Sequence, residues 1–183
     1  MLDYAAGDAM AFEYLYRKHR GALYRYFVRQ IGDRQLAEDL FQETWSRVIK
    51  AAPAYEATAK FTTWLYRIAH NLLVDHVRAV KPVDRFSDMQ SADAEPEFED
   101  LSADPGVSLE EQQKSRLLRE CVALLPQVQK EAFLLNCETG FPARVVADIV
   151  GISHEAGKSR IRYAYQSLKD CVAGKWEAYS GRA

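Results

Sequence analysis

Cysteine is scarce in this sequence. The 183 residues include three cysteines, Cys121, Cys137 and Cys171, which lie far apart and show no Cys-x-x-Cys or Cys/His spacing. A small, odd number of dispersed cysteines is not typical of a disulfide framework or of a zinc site, so we expect neither. Free cysteines of this kind suit a reducing compartment, and the sequence therefore predicts a cytoplasmic protein.

Segments that would place the chain in a membrane or route it out of the cell are also missing. No run of about 18 apolar residues occurs, which argues against a membrane-spanning helix and any direct membrane insertion. The first residues, Met1-Leu2-Asp3-Tyr4, show neither the basic region nor the apolar stretch of a secretory signal, so none is expected. A glycine-rich phosphate loop and a nucleophile elbow are absent too, so we expect no catalytic residues, no enzymatic activity and no cofactor.

The chain as a whole has no excess of basic charge, which is the usual sign of a nucleic-acid-binding protein. Separate parts of the chain do have such an excess. Lys and Arg number 24 against 26 Asp and Glu, a net charge of −2. Residues 83–111 hold ten acids and one base, a net charge of −9, so the rest of the chain carries +7. Such asymmetry indicates a basic, nucleic-acid-binding body with an acidic connector.

Apolar residues recur at helical spacing on both sides of the acidic segment, and no strand-like alternation of useful length occurs. The pattern predicts helices at about 8–31, 34–50 and 62–80, then at about 109–124, 127–138, 143–150 and 154–172. The acidic segment, with Pro96 and Pro105, cannot bury enough apolar area to fold. We therefore predict an all-α protein of two small helical domains, 1–82 and 108–175, joined by a flexible acidic linker, 83–107, and followed by a tail, 176–183.

The sequence from Phe141 to His154 has the pattern of a helix-turn-helix. Ala147 leaves room for a crossing helix and Gly151 permits the tight turn. Gly157 takes a position where this motif normally buries an aliphatic side chain, so we expect a weakened second helix that DNA would order. The second helix carries residues that can contact phosphates or base edges: Lys158, Ser159, Arg160, Arg162 and Tyr163. The alternative is a helical hairpin whose basic residues form a solvated face.

Residues 61–78 interleave aromatic, basic and amide side chains. With Trp64, Leu65 and Ile68 facing a core, the opposite face offers Arg67, Asn71, Asp75 and Arg78. This mixture suits single-stranded or melted nucleic acid, although an ordinary amphipathic helix is the alternative. His70 and His76 lack a carboxylate or cysteine at ligand spacing, so no metal site is expected.

Two groups of motifs together resemble a known family. Leu36-Ala37-Glu38-Asp39-Leu40-Phe41-Gln42-Glu43-Thr44-Trp45 and the segment from Phe61 to Asn71 resemble region two of bacterial sigma factors, most of all the compact extracytoplasmic-function class. The segment from Leu124 to Leu135, with the helix-turn-helix after it, resembles region four of the same class. The resemblance covers roughly residues 8–80 and 112–172. It implies a sigma factor that directs core RNA polymerase to promoters.

The resemblance also implies roles for individual residues. The acidic face of the second helix would bind the clamp helices of the largest polymerase subunit; its members are Glu38, Asp39, Gln42 and Glu43. The minus-ten promoter element would be contacted by Lys60, Trp64, Arg67, Asn71 and Arg78. The minus-thirty-five element would be read by Lys158, Ser159, Arg160, Arg162 and Tyr163. The polymerase flap and an anti-sigma factor that clamps both domains are the further partners implied.

Two other classes of protein remain open from the residues alone. A stand-alone helix-turn-helix regulator would use its N-terminal helices to sense a ligand or partner and would bind a palindrome as a dimer. A helical adaptor would show no salt-dependent affinity for DNA. Neither the promoter, the inducing signal nor a redox role for the cysteines follows from the sequence.

Overall fold

The computed structural model describes residues 1–80 and 108–180, and every regular element within these ranges is helical, which confirms the all-α fold. The predicted linker, 83–107, lies outside the described residues. The helices are α1 (Leu2–Ala5), α2 (Ala9–Ile31), α3 (Arg34–Ala51), α4 (Phe61–Val80), α5 (Leu109–Ala123), α6 (Gln127–Cys137), α7 (Ala143–Val150) and α8 (His154–Ser180), with a 3-10 turn at Ala52–Ala54. None of these helices is long and apolar enough to cross a bilayer.

Local capping explains where most of the helices begin and end. The Asp8 carboxylate accepts from Met10 N at 2.9 Å, and Asp33 caps α3 in the same way. Gly32 ends α2 with φ +80°, a conformation that glycine adopts without strain. Ser108 and Glu111 form a reciprocal capping box at the start of α5.

Two helix boundaries differ from the sequence-based expectation. The short helix α1 was not predicted, because four residues are too few to show periodicity. Helix α8 runs to Ser180 instead of ending near 172, so residues 176–180, expected to belong to a tail, are helical. The extension packs back on the second half of the chain: the ammonium of Lys114 lies 5.1 Å from the ring centre of Trp176.

Helices α2, α3 and α4 bury an aromatic core in the first half of the chain. Tyr26 and Phe27 of α2 are almost fully buried, and Trp45 of α3 is 4% exposed. The Trp45 ring meets Tyr16 edge-on, with ring centres 5.0 Å apart.

Helix α8 is the main packing partner of the other helices in the second half. Helices α5, α6 and α7 all pack against it, and Ala164 and Leu168 are buried at these contacts. The two halves also pack on one another, which the sequence did not indicate: α2 contacts α6, and α4 contacts α7. One apolar part of that interface is an edge-on contact of Tyr66 with Phe141, at 5.4 Å between ring centres.

A disulfide bond joins Cys121 of α5 to Cys171 of α8, so the expectation of no disulfide was wrong. The two residues are 50 positions apart, but the packing of α5 on α8 brings their Cα atoms within 5.9 Å. This is ordinary geometry for a disulfide. The sequence could not show the pairing because it depends on how the two helices pack. Cys137 is a free, exposed thiol.

We expect reduction of this disulfide to destabilise the protein. Closing a loop of this length removes chain entropy from the unfolded state, worth about 4 kcal/mol in the simplest model. For a chain of this size that corresponds to a fall in Tm of roughly 10 °C. Thermal unfolding followed by circular dichroism, with and without dithiothreitol, measures it.

Two serine variants serve as controls for that measurement. Cys171→Ser should show the low Tm under both conditions, whereas Cys137→Ser should behave like the unmodified chain. A Tm of the unmodified chain that does not respond to dithiothreitol would contradict the stabilising role of the bond.

Candidate nucleic-acid interface

The helix-turn-helix predicted from the sequence is present as α7, a three-residue turn and α8. Gly151 ends α7 with φ +69°, in the left-handed region that favours glycine. Ile152 N donates to Ala147 O at 3.0 Å, which fixes the turn. The hydroxyl of Ser153 accepts from Ala156 N at 3.2 Å and so satisfies one of the free donors at the start of α8.

Gly157 does not weaken the second helix as we expected. It is buried where α8 crosses α7, and α8 is continuous from His154. A Cβ atom at this position would lie 3.0 Å from Ala147 Cβ and 3.1 Å from Ala143 O. The absent side chain therefore does not leave a gap; it allows α7 and α8 to approach more closely than a larger residue would permit.

The first turns of α8 carry the residues predicted to read DNA. Lys158, Arg162 and Tyr163 are exposed, and Ser159 beside them is half-buried. These four lie within about 140° around the helix axis, since each residue turns the chain by about 100°. Arg160 lies about 160° around the axis from Lys158 and is half-buried, so the structure does not bring it into the same face.

Two contacts modify the charge and shape of this face. Glu155 Oε1 lies 3.6 Å from Lys158 Nζ, which offsets part of the lysine charge. The guanidinium of Arg162 lies 5.0 Å from the ring centre of Tyr163, within the range of a cation–π interaction. The face thus offers cations and an aromatic ring, the groups that contact phosphates and base edges.

A second exposed face lies on α4. Arg67, Asn71 and Arg78 are all exposed, and their spacing of four and seven residues places them on one side of the helix. Lys60 is exposed in the turn before α4. Trp64 is half-buried and packs edge-on against Tyr55 at 4.9 Å between ring centres, so its ring helps to hold the preceding loop.

The acidic face on α3 forms a third surface. Asp39 and Gln42 are exposed, while Glu38 and Glu43 are half-buried. Gln42 Nε2 donates to Glu38 at 3.0 Å, and Arg47 Nε lies 3.0 Å from the carboxylate of Glu43. Part of the negative charge is therefore offset within the helix, and Asp39 is the most exposed carboxylate of the face.

Sequence reasoning missed a polar cluster between the halves. Tyr26 Oη donates to Glu131 Oε1 at 2.8 Å, and His70 Nδ1 lies 2.6 Å from the same oxygen. Burial, and then the adjacent Glu131 carboxylate, raise the pKa of Tyr26 well above its usual value, so its hydroxyl remains a donor. The carboxylate that His70 lacked in local sequence is thus supplied from 61 positions away.

The signal that the sequence offered for this cluster was the unbroken apolar run Ala132-Phe133-Leu134-Leu135 next to Glu131; in the structure all five residues are buried. A helix buried on all sides is a central helix, so a glutamate within it needs a partner. Across residues 1–80 and 108–180, His, Cys, Asp and Glu side chains form no group of three or more that could hold a metal ion.

Comparison with known proteins adds to this geometry. Residues 15–82 match the family described as Sigma-70 region 2. The chain is 27% identical over 166 residues to the RNA polymerase sigma factor CarQ of Myxococcus xanthus, covering 91% of each chain. It is 27% identical over 168 residues to the ECF RNA polymerase sigma factor SigW of Bacillus subtilis, covering 89% of each.

Among solved structures, the chain is similar to the sigma factor RpoE in complex with the anti-sigma factor NepR from Bartonella quintana. The TM-score is 0.65 at 19% identity, over 89% of this chain and 97% of that one. At this level of identity the likeness shows a shared helical fold.

The two glycines inside α8 give a matched test of the close approach at Gly157. Around Gly174 no atom lies within 4 Å of an added Cβ, so Gly174→Ala should raise the free energy of unfolding by up to about 1 kcal/mol through helix propensity. Gly157→Val should instead lower it by about 1–3 kcal/mol, because the side chain must push α7 away. Urea unfolding measures both. A Gly157→Val chain as stable as the unmodified one would contradict the tight crossing.

Proposed function

The chain belongs to the extracytoplasmic-function class of sigma-70 factors, and on that premise we propose that it directs core RNA polymerase to specific promoters. One observation carries the proposal: a single chain presents, in order, an exposed acidic face on α3, a basic and amide face on α4, and a helix-turn-helix with exposed cations on α8. A specificity subunit needs one surface for the polymerase and two for DNA. We propose that residues 1–82 and 108–175 divide these tasks, with 83–107 as the connection.

The polymerase-binding surface is proposed to be the acidic face of α3, with the clamp helices of the largest polymerase subunit as its partner. Its residues are Glu38, Asp39, Gln42 and Glu43. Support comes from the exposure of Asp39 and Gln42 and from the arrangement of all four on the outer side of the helix. Carboxylates facing a basic partner speed association and select against the wrong partner. The polymerase flap is proposed as the partner of the second half.

The promoter-binding surfaces are proposed to lie on α4 and α8. On α4 the residues are Lys60, Trp64, Arg67, Asn71 and Arg78, for the minus-ten element. On α8 they are Lys158, Ser159, Arg162 and Tyr163, for the minus-thirty-five element; Arg160, which the sequence also assigned to this element, lies outside that face. Base contacts from such residues would specify the sequence, whereas contacts with phosphate would position the protein. The chain would contribute binding and no catalysis of its own.

Control by an anti-sigma factor is part of the proposal. The similar RpoE structure is a complex with an anti-sigma factor, which supports a partner of that class for this chain. We propose that the protein acts in the cytoplasm, where polymerase and the chromosome are found. The Cys121–Cys171 bond would there be exposed to cellular reductants.

Run-off transcription with purified core polymerase and genomic DNA fragments tests the proposed function. We expect discrete transcripts that require the protein. A regulator of the stand-alone type would instead bind a palindrome as a dimer without polymerase. Absence of specific initiation would defeat the proposal.

The same assay shows whether the proposed DNA-reading face of α8 acts through specific contacts or only through its general positive charge. Arg162→Ala should reduce initiation at promoters with a minus-thirty-five element, by roughly tenfold if a bidentate base contact worth about 1–3 kcal/mol is lost. Lys169→Ala removes a base from a later turn of the same helix and should change initiation little. Equal transcription from Arg162→Ala and the unmodified chain would reject the role of Arg162.

Asp39→Arg tests the polymerase-binding face. The change places a cation where a basic partner is expected, and like-charge juxtaposition at an interface costs several kcal/mol. We expect association with core polymerase to be lost, measured by co-purification, while the circular dichroism spectrum stays the same. Glu13→Arg reverses a half-buried carboxylate on α2, as accessible as that of Glu43, and should leave association intact. Undiminished co-purification of Asp39→Arg would rule out this face.

A further inference from the structure

The outer side of α2 carries cations, an aromatic ring and a glycine that the packing of the fold does not use. We call this set of residues the α2 face. Its members, all of them exposed, are Tyr14, Arg17, Lys18, Gly21 and Arg25. At about 100° of rotation per residue, they lie within roughly 100° around the helix axis. The fully buried Leu23 lies on the opposite side, so the α2 face points away from the core.

The charge of α2 is one-sided and is not balanced within the helix. The helix holds five bases and one acid. That acid, Glu13, pairs with Arg17 at 2.5 Å, whereas Lys18 and Arg25 have no ion pair within residues 1–80 and 108–180. Helix α5 shows the contrasting pattern, since two of its bases pair with glutamates four residues away. The α2 face therefore keeps an uncompensated positive charge, which favours an anionic partner.

Gly21 has no evident role in the packing of α2. It lies in the interior of a 23-residue helix, where glycine is less favourable than alanine. Among the described residues, the contact that an added Cβ would make outside the helix backbone is with Arg25 Nη1, at 3.4 Å. This is an ordinary contact with the end of a flexible side chain, so the fold would accept alanine. The missing side chain instead leaves open backbone between the cations, where a ligand can approach closely.

An exposed aromatic ring lies at the beginning of the α2 face. Tyr14 is 63% exposed, and Lys18 Nζ lies 5.5 Å from its ring centre. A row of cations beside such a ring is typical of sites for single-stranded nucleic acid, where bases stack on the ring and cations hold the phosphates. A duplex keeps its bases stacked on one another, so the ring favours a single strand. Of the large apolar side chains of α2, only Met10 and Tyr14 are exposed, which is little apolar area for a membrane-binding face.

The α2 face adjoins the start of α4, where the proposed promoter-binding face begins. The ring centres of His19 and Phe61 lie 5.5 Å apart. His19 follows Lys18 of the α2 face, and Phe61 follows Lys60, which belongs to the proposed minus-ten surface. A strand held at the start of α4 can therefore continue onto α2.

We propose that the α2 face is a further binding site for single-stranded DNA. Tyr14 stacks on one base, and Lys18 and Arg25 neutralise phosphates on either side of Gly21. Binding does not depend on base identity, because it uses ring stacking and phosphate charge. The site lengthens the strand that the first half of the chain holds. Its role at the promoter rests on the proposed function, whereas the binding of a strand does not.

Fluorescence anisotropy of the full chain with a labelled thymidine oligonucleotide of about 12 nucleotides tests the site. The titration is repeated at several salt concentrations. Lys18→Ala with Arg25→Ala removes two phosphate contacts. The slope of log Kobs against log salt should therefore fall in magnitude by about 1.4, which is about 0.7 for each contact with a single strand.

A second double variant is the matched control for that slope. Lys114→Ala with Arg116→Ala also removes one lysine and one arginine from exposed positions, but on α5. Its slope should equal that of the unmodified chain. An unchanged slope in Lys18→Ala with Arg25→Ala, or an equal fall in both double variants, would overturn the site. Circular dichroism checks that helix content is retained, as we expect because alanine favours helix at exposed positions.

Variants of Tyr14 separate stacking from charge. Tyr14→Ala should weaken binding of the oligonucleotide at least about fivefold, the lower end of the range for one base stacked on an aromatic side chain. Tyr14→Phe retains the ring and should bind like the unmodified chain. Equal affinities of Tyr14→Ala and Tyr14→Phe would overturn the proposed site.

Sedimentation with phosphatidylglycerol vesicles distinguishes a strand of DNA from an anionic membrane. We expect Lys18→Ala with Arg25→Ala to weaken binding of the oligonucleotide and to leave any sedimentation with vesicles unchanged. Loss of vesicle binding in this variant, with oligonucleotide binding intact, would assign the α2 face to a membrane and overturn the proposal. If the unmodified chain fails in run-off transcription, the proposed function falls, but the oligonucleotide measurements still decide the α2 site.

Discussion

The middle of helix α6 has no free face, and the packing of the neighbouring helices meets that constraint. The residues from Glu131 to Leu135 are all buried, so neighbours must cover this part of the helix on every side. Helix α8 covers one side and α2 another, and α2 belongs to the other half of the chain. The contact between the halves is therefore a consequence of the composition of one short helix, and the polar residues within that contact determine how firmly it holds.

The three exposed surfaces occupy helices whose opposite sides build the core. Helix α3 buries Trp45 and Val48 while it exposes Asp39, and α4 buries Leu65 and Leu72 while it exposes Asn71. Each functional side chain is thus held by packing directly beneath it. The near-zero net charge of the chain is the sum of unlike parts: residues 83–107 hold eight acids and one base, whereas α2 holds five bases and one acid and α8 five bases and three acids.

Helices, caps and the helix-turn-helix were predictable because their signals are local. Periodicity over 10 to 20 residues, a capping aspartate such as Asp33 and a turn glycine such as Gly151 can all be read without knowledge of the fold. Long-range contacts were not predictable. The disulfide joins Cys121 to Cys171, 50 positions apart, and a hydrogen bond joins Tyr26 to Glu131, 105 positions apart. The expectation for Gly157 was wrong for the same reason. Glycine has a poor helix propensity, but at this helix crossing the lack of a side chain lets α7 and α8 pack closely.

Helix α8 is continuous, so a movement at its far end is transmitted to the end proposed to face DNA. Cys171, tied to α5, lies about 18 Å along the helix axis from Ser159, at 1.5 Å per residue. A tilt of only about 5° at that anchor would displace the reading end by roughly 1.5 Å, half the length of a hydrogen bond. If α8 reads DNA as proposed, side chains that touch no base would alter promoter choice by setting the angle of this helix.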